Sequence, residues 1–487
     1  MNKYRSIFFL SRTCQYIDGR VHFFLKQCFS QSNLVMHDAK LHKQIPSTHT
    51  PRFLHARYDC TSAPLLLARM LIDVCTKFFN ARVGKIADRP TILQSILIIL
   101  LLPNIAQAQE QKTTTPLNYK LDTSVQSAAV GEIPFWYYAN TYGRLQHGSQ
   151  ANWLSGGTLK MPYQELGPVK VASGVELTSR VSDAHNSMHF PQLYGSARYK
   201  GLRLRIGRFK HFTGIHNETL SMGSMLISRN ATPIPKVELA TPEYIDFPLS
   251  NGNLQFRLYW SEGRLGEDRY LQHARLHQKS LHFKVPIGPH FEFVGGFSQG
   301  IQWAGSRPDG ERPPRSFRDY ASFVFHPNGG VSENTVGSYD ISAMLSLSKW
   351  QFQAYRQIYL EDLFFLRSPW DGLWGIGVQN STDSASLVNG IAYEFLNTIQ
   401  QDALPGLPEG RAGYYTHGEY RSGWTYQGGV LGNPLLRDPQ YRSGRPEKLS
   451  PNLMVIAHHL GVNGQFHAGS DYSFRFTYSR NYGICED

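Results

Sequence analysis

Arginine recurs at alternate positions along several stretches of this chain: Arg203 and Arg205 with Arg208 just behind, then Arg257, and also Arg180 and Arg198. A guanidinium is permanently charged and presents a planar fork of donors that fits carboxylate or phosphate oxygens. Aromatic side chains add flat apolar faces, with a polar tip in the case of tyrosine and tryptophan. Spaced two apart on strands, such arginines share one face and would form a cationic wall for an anionic ligand. A second set stands in residues 302–320, where Trp303 and Arg307 precede Arg312, Arg315 and Arg318. The binding candidates are Arg203, Arg205, Arg208, Arg257, Trp303 and Arg307. Each set also has a plainer reading. The alternating arginines would pair with interior carboxylates or plug residues, and residues 302–320 would be a solvated basic loop.

Signs of catalysis are thinner. His211, His216, His273, His277, His458 and His459 supply imidazoles for a Ser–His pairing of the kind a barrel lipase would use, but no Gly-x-Ser-x-Gly string sits at a strand-to-helix turn. Glu361 and Asp362 are adjacent, so on a strand they point to opposite faces and make a poor glycosidase dyad. His458 and His459 alternate in the same way. Cys14, Cys28, Cys60 and Cys75 lack C-x-x-C spacing, which removes the zinc reading. No catalytic residue, metal ligand or cofactor is expected.

The elements that must position these groups have a period of two. In residues 169–181, Val169, Val171, Val175, Leu177 and Val181 alternate with Lys170, Glu176, Thr178 and Arg180. Leu202, Leu204 and Ile206 oppose Arg203 and Arg205; Leu254, Phe256, Leu258 and Trp260 oppose Gln255, Arg257 and Tyr259. Leu281, Phe283 and Val285 oppose His282 and Lys284, Ile341, Ala343, Leu345 and Leu347 oppose serines and Met344, and residues 472–478 continue the pattern. A soluble sandwich alternates too. Strands of about ten residues, aromatic residues toward their ends (Tyr194, Tyr199, Tyr259, Trp260, Trp350, Tyr355, Trp374, Trp424, Tyr426) and an export signal tilt the reading toward a membrane. They predict an all-β fold: a transmembrane antiparallel β-barrel with an apolar exterior and a polar lumen. At about 22 residues per strand and connection, the chain beyond residue 108 supplies about 16–18 strands, a width that needs a plug or leaves a channel. Residues 134–145 read as a short aromatic helix and 220–236 as an irregular segment, both suited to a plug.

The export signal lies in residues 85–108. Lys85 and Arg89 precede an apolar run over 92–102, Pro103, and the small-x-small triplet Ala106-Gln107-Ala108, so cleavage is expected after Ala108. The run is about half of the roughly 20 residues a spanning helix needs. Residues 1–84 read as a doubtful N-terminal extension without sustained periodicity, and 109–487 as the barrel. The first 108 residues hold 14 Lys and Arg and 5 Asp and Glu; setting them aside reduces 49 and 37 to 35 and 32. The overall charge of +12 is therefore poor evidence for nucleic-acid binding, which needs a basic face on the folded domain. Only Cys485 lies beyond the leader, so no intrachain disulfide is expected there.

Several strings, in order along the chain, resemble the capsule-assembly Wzi family, particularly its Bacteroidetes members. They are PFWYYANTYGRL (134–145), GSMLISRNATPIPK (223–236), QWAGSRPDGERPPRSFRDY (302–320), DGLWGI (371–376), YEFLNT (393–398) with Gln400, YRSGWTYQGGVLGNPL (420–435) and TYSRNYG (477–483). The resemblance implies an outer-membrane barrel of about 18 strands with a helical element at the periplasmic end. It also implies a lectin-like protein that helps hold capsular or extracellular polysaccharide on the cell surface. Two departures stand out: residues 412–417 lack an expected Asp-Asn pair, and the chain stops soon after Gly483, where one or more further strands are expected.

The favoured function is polysaccharide binding and retention in the outer membrane, with the polymer and membrane lipid as partners, no nucleic acid and no enzymatic turnover. A general diffusion porin is the alternative, and a barrel hydrolase a weaker one. Polysaccharide identity, its charge and oligomeric state are not legible.

Overall fold

The structure is a computed structural model that describes residues 12–17, 20–25, 117–145, 148–184, 186–215, 217–325, 333–361, 368–382, 386–401, 414–436, 453–466 and 470–482. The export signal of 85–108, Asp362 and Cys485 lie outside them.

The elements in chain order begin with β1 (Arg12–Ile17), β2 (Arg20–Leu25), β3 (Asn118–Ser127), α1 (Phe135–Tyr138), β4 (Ala151–Leu166), β5 (Val169–Ser182), β6 (Ser187–Tyr199) and β7 (Leu202–Arg208). There follow β8 (Pro235–Ala240), β9 (Ile245–Asp246), β10 (Gln255–Arg264), β11 (Arg275–Ile287), β12 (Phe291–Trp303) and α2 (Phe317–Phe325). The last are β13 (Asn334–Leu347), β14 (Trp350–Glu361), β15 (Gly372–Asn380), β16 (Gly390–Asn397), β17 (Thr425–Tyr426), β18 (Gly429–Val430), β19 (Val455–Gln465) and β20 (Asp471–Asn481).

One 18-stranded sheet forms the wall, and its registered pairs are antiparallel. Strands β8 and β9 both pair with β10 and form one row broken by a bulge near Thr241. Strand β1 pairs with β2 and β3, and β2 lies beside β20, which brings the two ends of the sheet together. The sequence offered no sustained period in residues 1–84, and strands of six residues are too short to establish one.

Alternation decides which side chains meet lipid. Leu202, Leu204 and Ile206 are 42–56 % exposed, and Val237, Leu239, Phe283, Phe293, Ile341, Ile376 and Phe476 continue the outer belt. A contiguous apolar exterior of this extent is a liability in water and a requirement in hydrocarbon. No described helix is long and apolar enough to cross a membrane, so the crossing is made by strands.

The two ends of the barrel differ. At one end the strands are joined by tight turns that use left-handed residues, Gly167, Lys200, Gly288 and Ser348 among them. The other end carries the long connections: 128–150, 209–234, 304–333 and 398–454. Short turns face the periplasm and long loops the cell exterior in such barrels. Both described helices sit on long connections, at the outer end, where the resemblance had implied a periplasmic helical element.

Three expectations are corrected. Pro235 and Lys236 belong to β8 rather than to an irregular island. Tyr259, Tyr355, Trp424 and Tyr426 are buried inside the barrel and are not part of an aromatic girdle. Trp303 ends β12, and residues 317–320 open α2, so 302–320 is not one loop. A core of buried side chains, including Met222, Met225, Leu226, Tyr414, Tyr415 and Trp424, fills the lumen.

Candidate functional site

The two most distinctive strings, 223–236 and 420–435, meet inside the barrel. Ser228 N donates to Leu431 O (2.7 Å) and its hydroxyl to Gly432 O (2.6 Å), while Asn230 Nδ2 reaches Val430 O (3.0 Å). Trp424 Nε1 donates to Leu226 O (2.7 Å), Tyr415 Oη to Met225 O (2.5 Å), and Asn433 Nδ2 to Gly223 O (3.0 Å). Residues 134–145 join them: Asn140 Nδ2 donates to Met222 O (3.0 Å), and Gly143 N to Asn230 O (3.0 Å). These bonds satisfy irregular backbone buried in the barrel, where an unpaired polar group would be costly. Wall and plug are fitted to each other. A Cβ on Gly300 of β12 would lie 2.8 Å from the Trp424 ring, so only glycine lets the indole reach the wall.

The plug reaches the outer mouth through residues 414–426. Arg269 Nη1 and Nη2 donate to Thr425 O (2.5 Å) and Gly423 O (3.1 Å), and Tyr270 N donates to Ser422 Oγ (2.7 Å). Arg307 holds Glu419 bidentately, with Nε to Oε1 and Nη2 to Oε2 both 2.6 Å, and also pairs with Glu311. The Arg307 guanidinium keeps the Glu419 carboxyl below the usual carboxylate range. Burial pushes the His417 imidazole down, and its Nδ1 accepts from Glu419 N and Tyr420 N as a neutral ring must. Above this framework Arg421 is exposed, its guanidinium 4.6 Å from the Tyr270 ring centre.

The six sequence candidates do not form one site. Arg203 and Arg205 point into the lumen, where both grip Glu238, whose side chain is fully buried; the closest contacts are 2.8 and 2.6 Å. Arg205 also lies 3.8 Å over the Phe209 ring. Arg208 donates to Tyr426 Oη (3.2 Å) and thus ties wall to plug. Arg257 stands over Tyr244 in the half of the lumen nearer the tight turns. Trp303 is buried on the outer side of the wall, donating to Glu262 (2.9 Å) under Tyr320 and Phe323 of α2. Of the six, Arg307 is at the mouth. Sequence reasoning missed Tyr270 and Arg421. Arg421 lies in the 420–435 string that had been singled out, whereas Tyr270 carried no signal of its own.

The histidines have structural partners. His211 stacks on Tyr259 (4.2 Å between ring centres), and His459 bonds Thr477 Oγ1 (2.6 Å) and Leu220 O (2.8 Å). His458 bonds Tyr393 Oη (2.8 Å) on the opposite face, as adjacent strand positions require. His216 lies outside the described residues. A Gly-x-Ser-x-Gly string does occur at 296–300, but in mid-strand in β12. Its Ser298 donates to Asp340 Oδ2 (2.9 Å), and His282 Nε2 bonds the same oxygen (3.0 Å). Serine and histidine both address the acid, so the order of a nucleophile relay is absent there. Gln357 Nε2 completes the buried cluster from β14 (2.8 Å).

A ring of lipid-facing strands around a packed, hydrogen-bonded lumen defines an outer-membrane β-barrel closed by its own plug. This chain belongs to the capsule assembly protein Wzi family, whose model matches residues 119–442. Among solved structures it is similar to Wzi of Escherichia coli, described as an outer membrane protein involved in group 1 capsule assembly and a carbohydrate-binding β-barrel. That likeness has 14 % identity and a TM-score of 0.45, and it covers 80 % of this chain and 86 % of that one. The outer membrane protein OmpT of Vibrio cholerae matches at 9 % identity and TM-score 0.33 over 69 % of this chain and 83 % of that one. A porin of Rh. blastica matches at 9 % and 0.25 over 51 % and 86 %. No curated protein sequence matches the chain.

Proposed function

We propose that this barrel binds capsular or extracellular polysaccharide at its outer mouth and helps retain it on the cell surface, without turning it over. Residues 85–108 would be the export signal that delivers it, and cleavage after Ala108 would also remove β1 and β2, so that β3 and β20 become the strands that must meet to close the wall. The observation that carries the reading is the plug: the strings that mark the family fill the lumen, and two of their arginines, Arg421 and Arg307, meet Tyr270 and Glu419 at the exterior end. A filled lumen argues against general diffusion, and an exposed guanidinium above a tyrosine ring is suited to an acidic sugar.

Titration of the folded full-length chain with purified acidic capsular polysaccharide tests this. Arg421→Gln with Tyr270→Ala is expected to weaken binding about tenfold or more, the scale of one lost charged hydrogen bond and its stacking partner. Wild-type binding should weaken as salt rises, and no reducing ends should appear. Unchanged affinity in the variant would remove the mouth as the site, and released sugar would restore the hydrolase reading.

A further inference from the structure

Helix α2 lies on the outside of the barrel. Gln278 and Gln302 point inward, to Lys236 and to Gly423 O, so their strand neighbours His277, Lys279, Ile301 and Trp303 point outward. The helix covers these outward residues. Tyr320 Oη meets His277 Nδ1 at 3.1 Å, Tyr320 and Phe323 pack on Trp303 (5.0 and 6.4 Å between ring centres), and Lys279 Nζ donates to Val324 O near the helix C-terminus. At the other end Ser316 and Asp319 cap each other reciprocally, with Ser316 N to Oδ2 at 2.8 Å and Asp319 N to Ser316 Oγ at 3.1 Å. Polar wall positions that would be costly against lipid are thereby buried under a firmly seated helix.

The same helix turns apolar and cationic groups away from the wall. Phe317 is 84 % and Phe325 69 % exposed, far more than attachment to the barrel requires. Arg312, Arg315 and Arg318 are exposed, and among the described residues none pairs with a carboxylate. The nearby acids are engaged elsewhere: Glu311 and Glu419 with Arg307, Asp319 in the cap, and Asp309 with Glu311 N. Exposed phenylalanines beside unpaired arginines, on the membrane side of the wall at its outer end, make the signature of an interfacial helix.

We infer that α2 and the basic segment before it form a docking surface for a phosphorylated glycolipid of the outer leaflet. Phe317 and Phe325 enter the acyl boundary, and Arg312, Arg315 and Arg318 bind the phosphates. The occupant follows from charge complementarity and from the position of the helix on the lipid-facing side. The surface is separate from the mouth, so it stands whether or not polysaccharide binds there.

The full chain in phosphatidylcholine nanodiscs, titrated with bis-phosphorylated lipid A and with the same lipid dephosphorylated, provides the test. Arg312→Gln/Arg315→Gln/Arg318→Gln is expected to bind the phosphorylated lipid about tenfold more weakly or worse, since each basic residue at an anionic surface contributes roughly fivefold. Its affinity for the dephosphorylated lipid should match wild type. The triple Arg→Lys variant keeps the charge and should retain binding within about threefold, which separates lost charge from a misfolded loop. Phe317→Ser/Phe325→Ser should weaken both lipids. Equal affinity of the Gln variant and wild type for phosphorylated lipid A would overturn the inference. So would displacement of that lipid by soluble acidic polysaccharide, which would reassign the arginines to the polymer.

Discussion

Replacing Arg203 and Arg205 together by Gln is expected to destabilise the barrel by about 3–5 kcal/mol, because it leaves a buried carboxylate without its partners. Glu238 has no exposed side-chain surface and receives four contacts of 2.6–2.9 Å from the two guanidinium groups. Lys236 is the other buried cation nearby, but its ammonium is bonded to Tyr259 Oη (2.8 Å) and Gln278 Oε1 (3.1 Å). Adding Glu238→Gln to the double variant should recover much of the loss, since removing both sides of a buried pair costs far less than removing one. The urea midpoint for loss of the heat-modifiable gel band reads both effects. A double variant as stable as wild type would mean that Glu238 has another partner. The alternating arginines had suggested a wall for acidic polymer; their engagement with Glu238 makes them a brace, and the folded fraction of the double variant should bind polysaccharide normally.

Trp424→Ala should cost about 3–5 kcal/mol as a fully buried large-to-small change, and it should also open the barrel to ions. The indole is 0 % exposed, bonds Leu226 O, and fits against Gly300 of the wall, so it pins one half of the plug to the other and to β12. In planar bilayers the wild-type chain is expected to stay closed and the variant to give discrete conductance steps. Steady conductance by the wild type would return the porin reading, and a closed variant would show that the other bonds hold the plug unaided.

Much of the wall was legible because alternation is a direct imprint of the pleat. Leu202, Leu204 and Ile206 are exposed and Arg203 and Arg205 face inward, as a period of two demands. Residues 134–145 and 220–236 pointed to the plug because neither alternates as a wall strand should, whereas 420–435 stood out only by its family resemblance. What failed was the assignment of aromatic residues to faces. Tyr355 looks like a girdle residue by type, yet its hydroxyl bonds Glu394 inside the barrel (2.6 Å). Composition cannot separate a tyrosine anchored in lipid headgroups from one anchored on a buried acid. Glu238 escaped notice for a related reason: its worth depends on β7 pairing with β8 across the long 209–234 connection, which local pattern does not reveal. The seating of α2 on His277 likewise joins residues 43 positions apart, beyond the reach of any periodicity.

On the proposed reading the barrel retains polysaccharide rather than making it, exporting it or cutting it. Retention is tested most directly by measuring cell-attached and total polymer in otherwise identical cells with and without this chain. Loss of the chain should lower the attached fraction, raise the released fraction and leave the total unchanged. A fall in total polymer, or an attached fraction that does not change, would contradict it.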